Sequence, residues 1–234
     1  MEPNQSASPE SLPETPLEAL RGVVRDAVIV AGQTFRIERP DDSDLLLEHP
    51  AVRSAFVADD YLPYWADLWP AARMLAAAIL RETWPPNLRA LEIGCGLGLP
   101  GIAALSVGIP VTFSDYDATA LRFAAANARL NGFTDFETLR LDWRSPPQGL
   151  RFPLILASDL VYELRNVDPL VHALRKLLGP GGLCLLTDQD RVPSQQLRQK
   201  LAEEGFAFTS QAAKAGEPGG RRVRGTLYRI THAG

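Results

Sequence analysis

LEIGCGLGLPG, residues 91–101, passes from an apolar segment into glycine at positions 94, 96, 98 and 101, with Pro100 among them. RALEI leading into it has the character of a short buried strand, and LPGIAALSVG reads as a helix closed by Gly108. Strand, glycine loop and helix in that order let the backbone turn sharply and approach a ligand beside the helix N-terminus. Two registers are open. Gly96-Leu97-Gly98-Leu99-Pro100-Gly101 fits G-x-G-x-x-G literally. Counted from the strand end at Gly94, the pattern is G-x-G-x-G, with Leu99 where a dinucleotide fingerprint wants glycine.

The strands that follow add chemistry at the same edge. VTFSD ends in Asp115, 21 residues past Gly94, where a carboxylate can accept hydrogen bonds from both ribose hydroxyls. FETLRLDW ends in Asp142 and Trp143, an acceptor for an adenine amino group and an indole to pack on the ring. FPLILASDLVYE, residues 152–163, surfaces at Asp159 with Tyr162 three positions on. D-x-x-Y is common by chance. Asp159 and Tyr162 are therefore open to two readings, the end of a buried strand or a carboxylate and wall on the substrate side.

From residue 89 onward strands and helices alternate. The helices are expected at 99–108, 117–131 (capped by Asp117, ended by Gly132), 169–178 (Asp168 as N-cap, Pro169 at N1) and 194–205. Apolar strands between helices predict a parallel sheet covered on both faces. The last two, GFAFTSQ and RRVRGTLYRI around the loop GEPGG, have no helix between them and should form a hairpin. The expected fold is α/β, a doubly wound, mostly parallel seven-stranded sheet with an antiparallel C-terminal hairpin. An N-terminal extension precedes it. Residues 27–38 suggest a hairpin turning at Ala31-Gly32-Gln33, DDSDLLLEHP a connector, and Pro70 the first turn of a helix stopped by Pro85-Pro86. Pro, Ser and Glu dominate residues 2–16. The division expected is a disordered tail at 1–20, an extension at 21–60 and the main domain at 61–234.

A net charge of −4 gives no global attraction to nucleic acid or anionic membranes, and neither partner is expected. No apolar run approaches a membrane span, and the N-terminus resembles neither a secretory signal nor a transit peptide. Cys95 and Cys184, with three scattered histidines, provide no metal set, so no metal is expected. A cytoplasmic chain, as a monomer, is the expectation.

LEIGCGLGLPG, FSDYD, ANARLNG, LDW and SDLVYE, in this order, resemble the seven-β-strand S-adenosylmethionine-dependent methyltransferases, whose fold is Rossmann-like. PYWADLWPAARMLA together with SDLVYE is similar to one branch, methyltransferase family 16, rich in protein-lysine methyltransferases, the electron-transfer flavoprotein β-subunit enzyme among them. The similarity spans about residues 61–190. It implies S-adenosyl-L-methionine as cofactor and, as partner, a protein offering a lysine side chain. The methionine part of the cofactor would fall on Glu92, Gly94, Gly96 and Gly98, the ribose on Asp115 and the adenine on Asp142 and Trp143. Trp69 matches a tryptophan beside the cofactor in relatives, and Tyr116 and Ser158 belong to the same cofactor-binding set. Asp159 and Tyr162 take the positions tied to activity. Cys95 reads as a small filler of the loop, Asn131 as a C-cap and Asn127 as a polar contact to a loop.

A lysine reading carries a tension. The ammonium has no lone pair, and about one part in 2,500 is neutral at pH 7. Desolvation by Tyr162 and the tryptophans favours the neutral amine, while an ionised Asp159 favours the ammonium. Asp159 is thus better suited to orienting the amine. The competing functions are a small-molecule N- or O-methyltransferase of nicotinamide type, an NAD-dependent oxidoreductase suggested by GLGLPG, and a non-catalytic module retaining the fold.

Overall fold

The computed structural model describes residues 14–216, 220 and 222–233. Residues 1–13 of the tail expected at 1–20, and most of the GEPGG loop, lie outside the described residues.

Strands β1 (Val23–Val30) and β2 (Gln33–Pro40) pair antiparallel in a separate two-stranded sheet. Their turn has positive φ at Ala31 and Gly32 (49° and 86°), the twist that two-residue hairpins need. Phe35 and Ile37 of β2 point inward and are buried. The DDSDLLLEHP connector is partly structured: it contains a 3-10 turn, Asp44–Glu48, and leads into helix α1 (Pro50–Asp59). Helix α2 (Pro70–Arg81) follows, with Pro70 in its first turn as expected.

The main sheet contains β3 (Ala90–Ile93), β4 (Val111–Asp115), β5 (Phe136–Arg140), β6 (Phe152–Ser158), β7 (Leu178–Asp188), β8 (Phe206–Ala215) and β9 (Val223–His232). Their order is β5-β4-β3-β6-β7-β9-β8. The pairs from β5 to β7 are parallel, and β9 runs antiparallel to both β7 and β8. This is the expected sheet, with the second hairpin strand inserted beside β7. Helices α3 (Leu99–Ser106), α4 (Ala118–Leu130), α5 (Val167–Leu177) and α6 (Pro193–Glu203) complete the crossovers. The core divides by face. One cluster joins Leu75, Ile79, Leu99, Ile102 and Phe113, and the other Leu91, Ile93, Ile155, Leu170 and Tyr228. All four residues of β3 are buried, and each such leucine or isoleucine contributes about 1.5–3 kcal/mol.

Helix α4 grips the N-terminal hairpin through two asparagines. Asn127 Oδ1 accepts from Glu38 N at 2.7 Å, and its Nδ2 donates to Glu38 O at 3.0 Å. Asn131 repeats the pattern on Arg36 N and O at 2.9 and 2.7 Å. Four helical residues rise about 6 Å and two strand residues about 6.6 Å, so positions 127 and 131 match 38 and 36. Asn127 Nδ2 also donates to Leu97 O at 3.1 Å, the loop contact that was expected.

Two local expectations change. Helix α5 starts at Val167, with Asp168 in its first turn rather than at the cap; Asn166 precedes it and donates its amide to Leu160 O at 3.1 Å instead of capping. Residues Glu14–Leu20, expected to belong to a tail, pack on the domain, where Thr15 is fully buried. Its partner is Asp117, whose carboxylate has acceptor capacity beyond the Thr119 N–H of its own helix. Among the described residues no helix is long and apolar enough to cross a membrane.

Candidate active site

Strand β3 lies between β4 and β6; the chain builds outward from β3 through β4 to β5 on one side and from β6 to β7 on the other, and this reversal opens a crevice past the C-terminal end of β3. A cavity of about 560 Å³ occupies that edge, within the range of small-molecule sites. Gly94 has φ +59°, and a Cβ there would lie 2.5 Å from Leu160 Cδ2 and 3.7 Å from Trp143 Nε1. A bare backbone thus forms the floor between the ends of β3 and β6. Gly96 N donates to Asp115 Oδ2 at 2.9 Å, which ties the loop to the end of β4.

Eleven of the twelve residues singled out in the sequence line this cavity: Trp69, Gly94, Gly96, Gly98, Asp115, Tyr116, Asp142, Trp143, Ser158, Asp159 and Tyr162. Glu92 does not. It lies fully buried beneath the loop, where its Oε2 accepts from Gly101 N at 2.9 Å and its Oε1 has no partner among the described residues. Burial pushes its carboxyl well above the usual range, only partly offset by the Gly101 bond. Its place in the fold is as a prop for the first turn of α3.

Asp115 also accepts from Asp117 N at 3.0 Å. Burial raises its pKa to about 6, with the Gly96 and Asp117 N–H bonds pulling the other way. Asp142 is held by Arg144, whose Nε and Nη2 lie 2.9 and 3.0 Å from its two carboxylate oxygens. The Arg144 guanidinium sits 4.7 Å from the Tyr116 ring centre, so the ends of β4 and β5 share one wall. Burial pushes the Cys95 thiol well up, in keeping with a filler rather than a nucleophile.

At the end of β6, Asp159 has φ +57° and anchors its N–H on Thr187 O at 2.8 Å. Its Oδ2 accepts from Gln189 Nε2 at 2.5 Å and Arg191 Nη2 at 3.2 Å. Burial raises its pKa, with Arg191 and Gln189 lowering it in turn. Three aromatic rings line the cavity with it. Tyr64 meets Tyr162 edge-on at 5.1 Å and Trp69 edge-on at 5.9 Å, and Trp69 Nε1 donates to Tyr64 O at 2.7 Å. Arg191, also 5.6 Å from the Trp69 ring, closes this niche. The sequence reading missed Tyr64, Gln189 and Arg191. Tyr64 stands in the quoted PYWADLWP segment, and Gln189 and Arg191 follow the end of β7 on the edge already singled out.

A carboxylate suited to a diol, an indole beside a second acid, and a glycine floor that side chains would fill all fit S-adenosylmethionine. Fold and site define an S-adenosylmethionine-dependent methyltransferase. The chain belongs to methyltransferase family 16, the lysine methyltransferase family, whose model matches residues 65–204. Among curated relatives, the ribosomal protein L11 methyltransferase of Shewanella halifaxensis is 35% identical over 133 residues, 56% of this chain and 41% of that protein. The histidine protein methyltransferase 1 homolog of Dictyostelium discoideum is 34% identical over 107 residues, 43% of this chain and 35% of that one. The chain thus spans less than half the length of either. In fold it resembles the ribosomal protein L11 methylase of Lactobacillus delbrueckii subsp. bulgaricus, with TM-score 0.57, 22% identity, and 70% and 79% of the two chains covered. The glycopeptide N-methyltransferase MtfA complexed with S-adenosylmethionine gives TM-score 0.56 at 16% identity, covering 71% and 96%.

Proposed function

We propose that this methyltransferase acts on a lysine amine of a protein. The observation that carries the reading is the niche at the end of β6, where a buried carboxylate, Asp159, lines the same cavity as the rings of Tyr64, Trp69 and Tyr162, and Arg191 reaches both Asp159 and the Trp69 ring. The mouth favours a cationic acceptor on an extended surface. Asp60, Asp67, Asp115, Asp142, Asp159 and Glu163 line the cavity against three guanidiniums, those of Arg144, Arg165 and Arg191. Tyr64, Leu164 and Val192, 39, 49 and 82% exposed, lie in or directly beside segments that line it, an apolar edge with no use for a small acceptor enclosed in the cavity. The names of the curated relatives also point to protein acceptors.

In this reading Gly94, Gly96 and Gly98 hold the methionine part of the cofactor, Asp115 and Tyr116 the ribose, and Asp142 with Trp143 the adenine. Ser158 and Trp69 complete its surroundings. S-adenosylmethionine supplies a methyl group already activated on a sulfonium, so the chain's task is alignment. The aromatic walls exclude water and favour the neutral amine. Arg191 already compensates much of the Asp159 charge, which weakens its preference for an ammonium; Asp159 then orients the amine by accepting one N–H.

The purified chain is incubated with methyl-tritiated S-adenosylmethionine and lysate of the source organism, and labelled proteins are hydrolysed to amino acids. Label in methyl-lysine is expected. Label in methyl-histidine alone, or only on small molecules, would overturn the reading.

A further inference from the structure

Thr15 is held by residues far away in sequence, two of which, Tyr61 and Trp65, also line the cofactor cavity. Its N–H donates to Asp117 Oδ2 at 3.0 Å across 102 positions, and its Oγ1 lies 2.5 Å from the same oxygen. Tyr61 OH donates to Asp117 as well and stands 2.9 Å from Thr15 Oγ1. Two hydroxyl protons are therefore shared among three contacts. Trp65 Nε1 donates to Thr15 Oγ1 at 3.2 Å, and Thr119 Oγ1 donates to Thr15 O at 2.5 Å. Next to it Glu14 pairs with Arg122 of α4 at 2.8 Å.

The partners lead to the cofactor side along two routes. Tyr61 and Trp65 line the cavity, and Trp65 O lies 3.3 Å from where a Gly96 Cβ would stand, so the backbone of Trp65 rests on the glycine loop. Asp117 in turn donates its N–H to Asp115 Oδ1 at 3.0 Å. With Thr15 undocked, Trp65 Nε1 would lose its recorded acceptor, and Tyr61 and Asp117 would each lose a partner in a buried place. The undocked state therefore frees the indole to turn from its cavity position and leaves the Tyr61 hydroxyl held by Asp117 alone.

We propose that Thr15 is a positioning residue of the cofactor site, and that docking of Glu14–Leu20 onto Asp117, Tyr61 and Trp65 is coupled to S-adenosylmethionine binding. Coupling of two binding events is reciprocal. Whatever factor the docked segment adds to cofactor affinity, the cofactor returns as protection of the docked segment. The coupling involves the cofactor alone and is independent of the acceptor.

The test uses the full chain and S-adenosylmethionine alone. Thr15→Val removes the hydroxyl, and Thr15→Ser restores it without the methyl. Calorimetry should show the Kd for S-adenosylmethionine rising about 10-fold in Thr15→Val and returning to within about 3-fold of wild type in Thr15→Ser. In the wild-type chain, saturating S-adenosylmethionine should slow hydrogen exchange at the amides of 15–20 about 10-fold, a comparison that stands even if Thr15→Val fails to fold. Unchanged exchange at 15–20 on cofactor binding overturns the proposal, as does a Thr15→Val chain that binds the cofactor like wild type. Failure of the wild-type chain to bind S-adenosylmethionine would instead contradict the cofactor assignment.

Discussion

Arg191 and Asp159, 32 residues apart, form an ion pair at the adjacent ends of β7 and β6, with Nη2 3.2 Å from Oδ2. Asp159 is largely buried, so removing the guanidinium leaves its desolvation uncompensated and its pKa rises further. A higher pKa means that the carboxylate is lost at higher pH. The acid limb of a pH–rate profile should accordingly move to higher pH in Arg191→Ala and return in Arg191→Lys. Asp159→Ala should reduce transfer by about 100-fold or more while the cofactor Kd stays within about twofold. Cofactor binding lost in parallel would move Asp159 to the cofactor side.

Asp115 gives a second pH dependence. Burial raises its pKa in the free protein to about 6, so below that value it is mostly protonated and, on the proposed reading, lacks an acceptor for the ribose hydroxyls. Since binding favours the ionised form, affinity for S-adenosylmethionine should fall as pH drops through 6 and level off above it. Titration calorimetry between pH 5 and pH 8 measures this. Asp115→Asn should bind weakly at every pH, with the inflection gone.

Gly94 couples backbone conformation to the site. With φ +59°, alanine there would be strained by about 1–2 kcal/mol, before its Cβ meets Leu160. Gly94→Ala should lower Tm by about 2–8 °C and weaken cofactor binding, read by thermal melts with and without S-adenosylmethionine. A melt as high as wild type, with normal cofactor stabilisation, would contradict the geometry.

The apolar edge of the mouth can be separated from the cofactor site. Leu164→Asp and Val192→Asp are exposed changes and should leave Tm and cofactor affinity unaltered. Labelling of the protein acceptor in lysate should drop about fivefold or more in the double variant. Undiminished labelling would mean that acceptors do not touch this edge.

That Gly94, Asp115 and Asp142 line the cavity was legible because each stands at or just past the C-terminal end of a strand, at a spacing the alternating fold fixes. The crossover pattern also revealed the sheet and its terminal hairpin. Arg191 was not legible in this way, since DQDR offers several polar residues after β7 and only the packing of strand ends selects one. Helix α1 escaped notice because its described positions bury little beyond Val52, leaving no apolar stripe at helical spacing. Thr15 sits in a segment whose Pro, Ser and Glu content suggests a solvated chain. What orders it is a hydrogen-bonding vacancy on Asp117, and composition carries no trace of that. Glu92 was assigned to the methionine part of the cofactor through the family resemblance, but here its side chain turns beneath the glycines, onto Gly101 N.

The paired asparagines of α4 make the helix and β2 mesh like rack and pinion, one tooth per helical turn. Such gearing admits no half-step. A residue inserted between Arg36 and Glu38 would present the wrong backbone edge to one tooth and disengage it. The disturbance would travel through the Asn127 contact with Leu97 O to the glycine loop. A residue inserted at the Ala31-Gly32 tip would leave the teeth engaged. Within the hairpin, length is therefore free at the tip and fixed at positions 36–38.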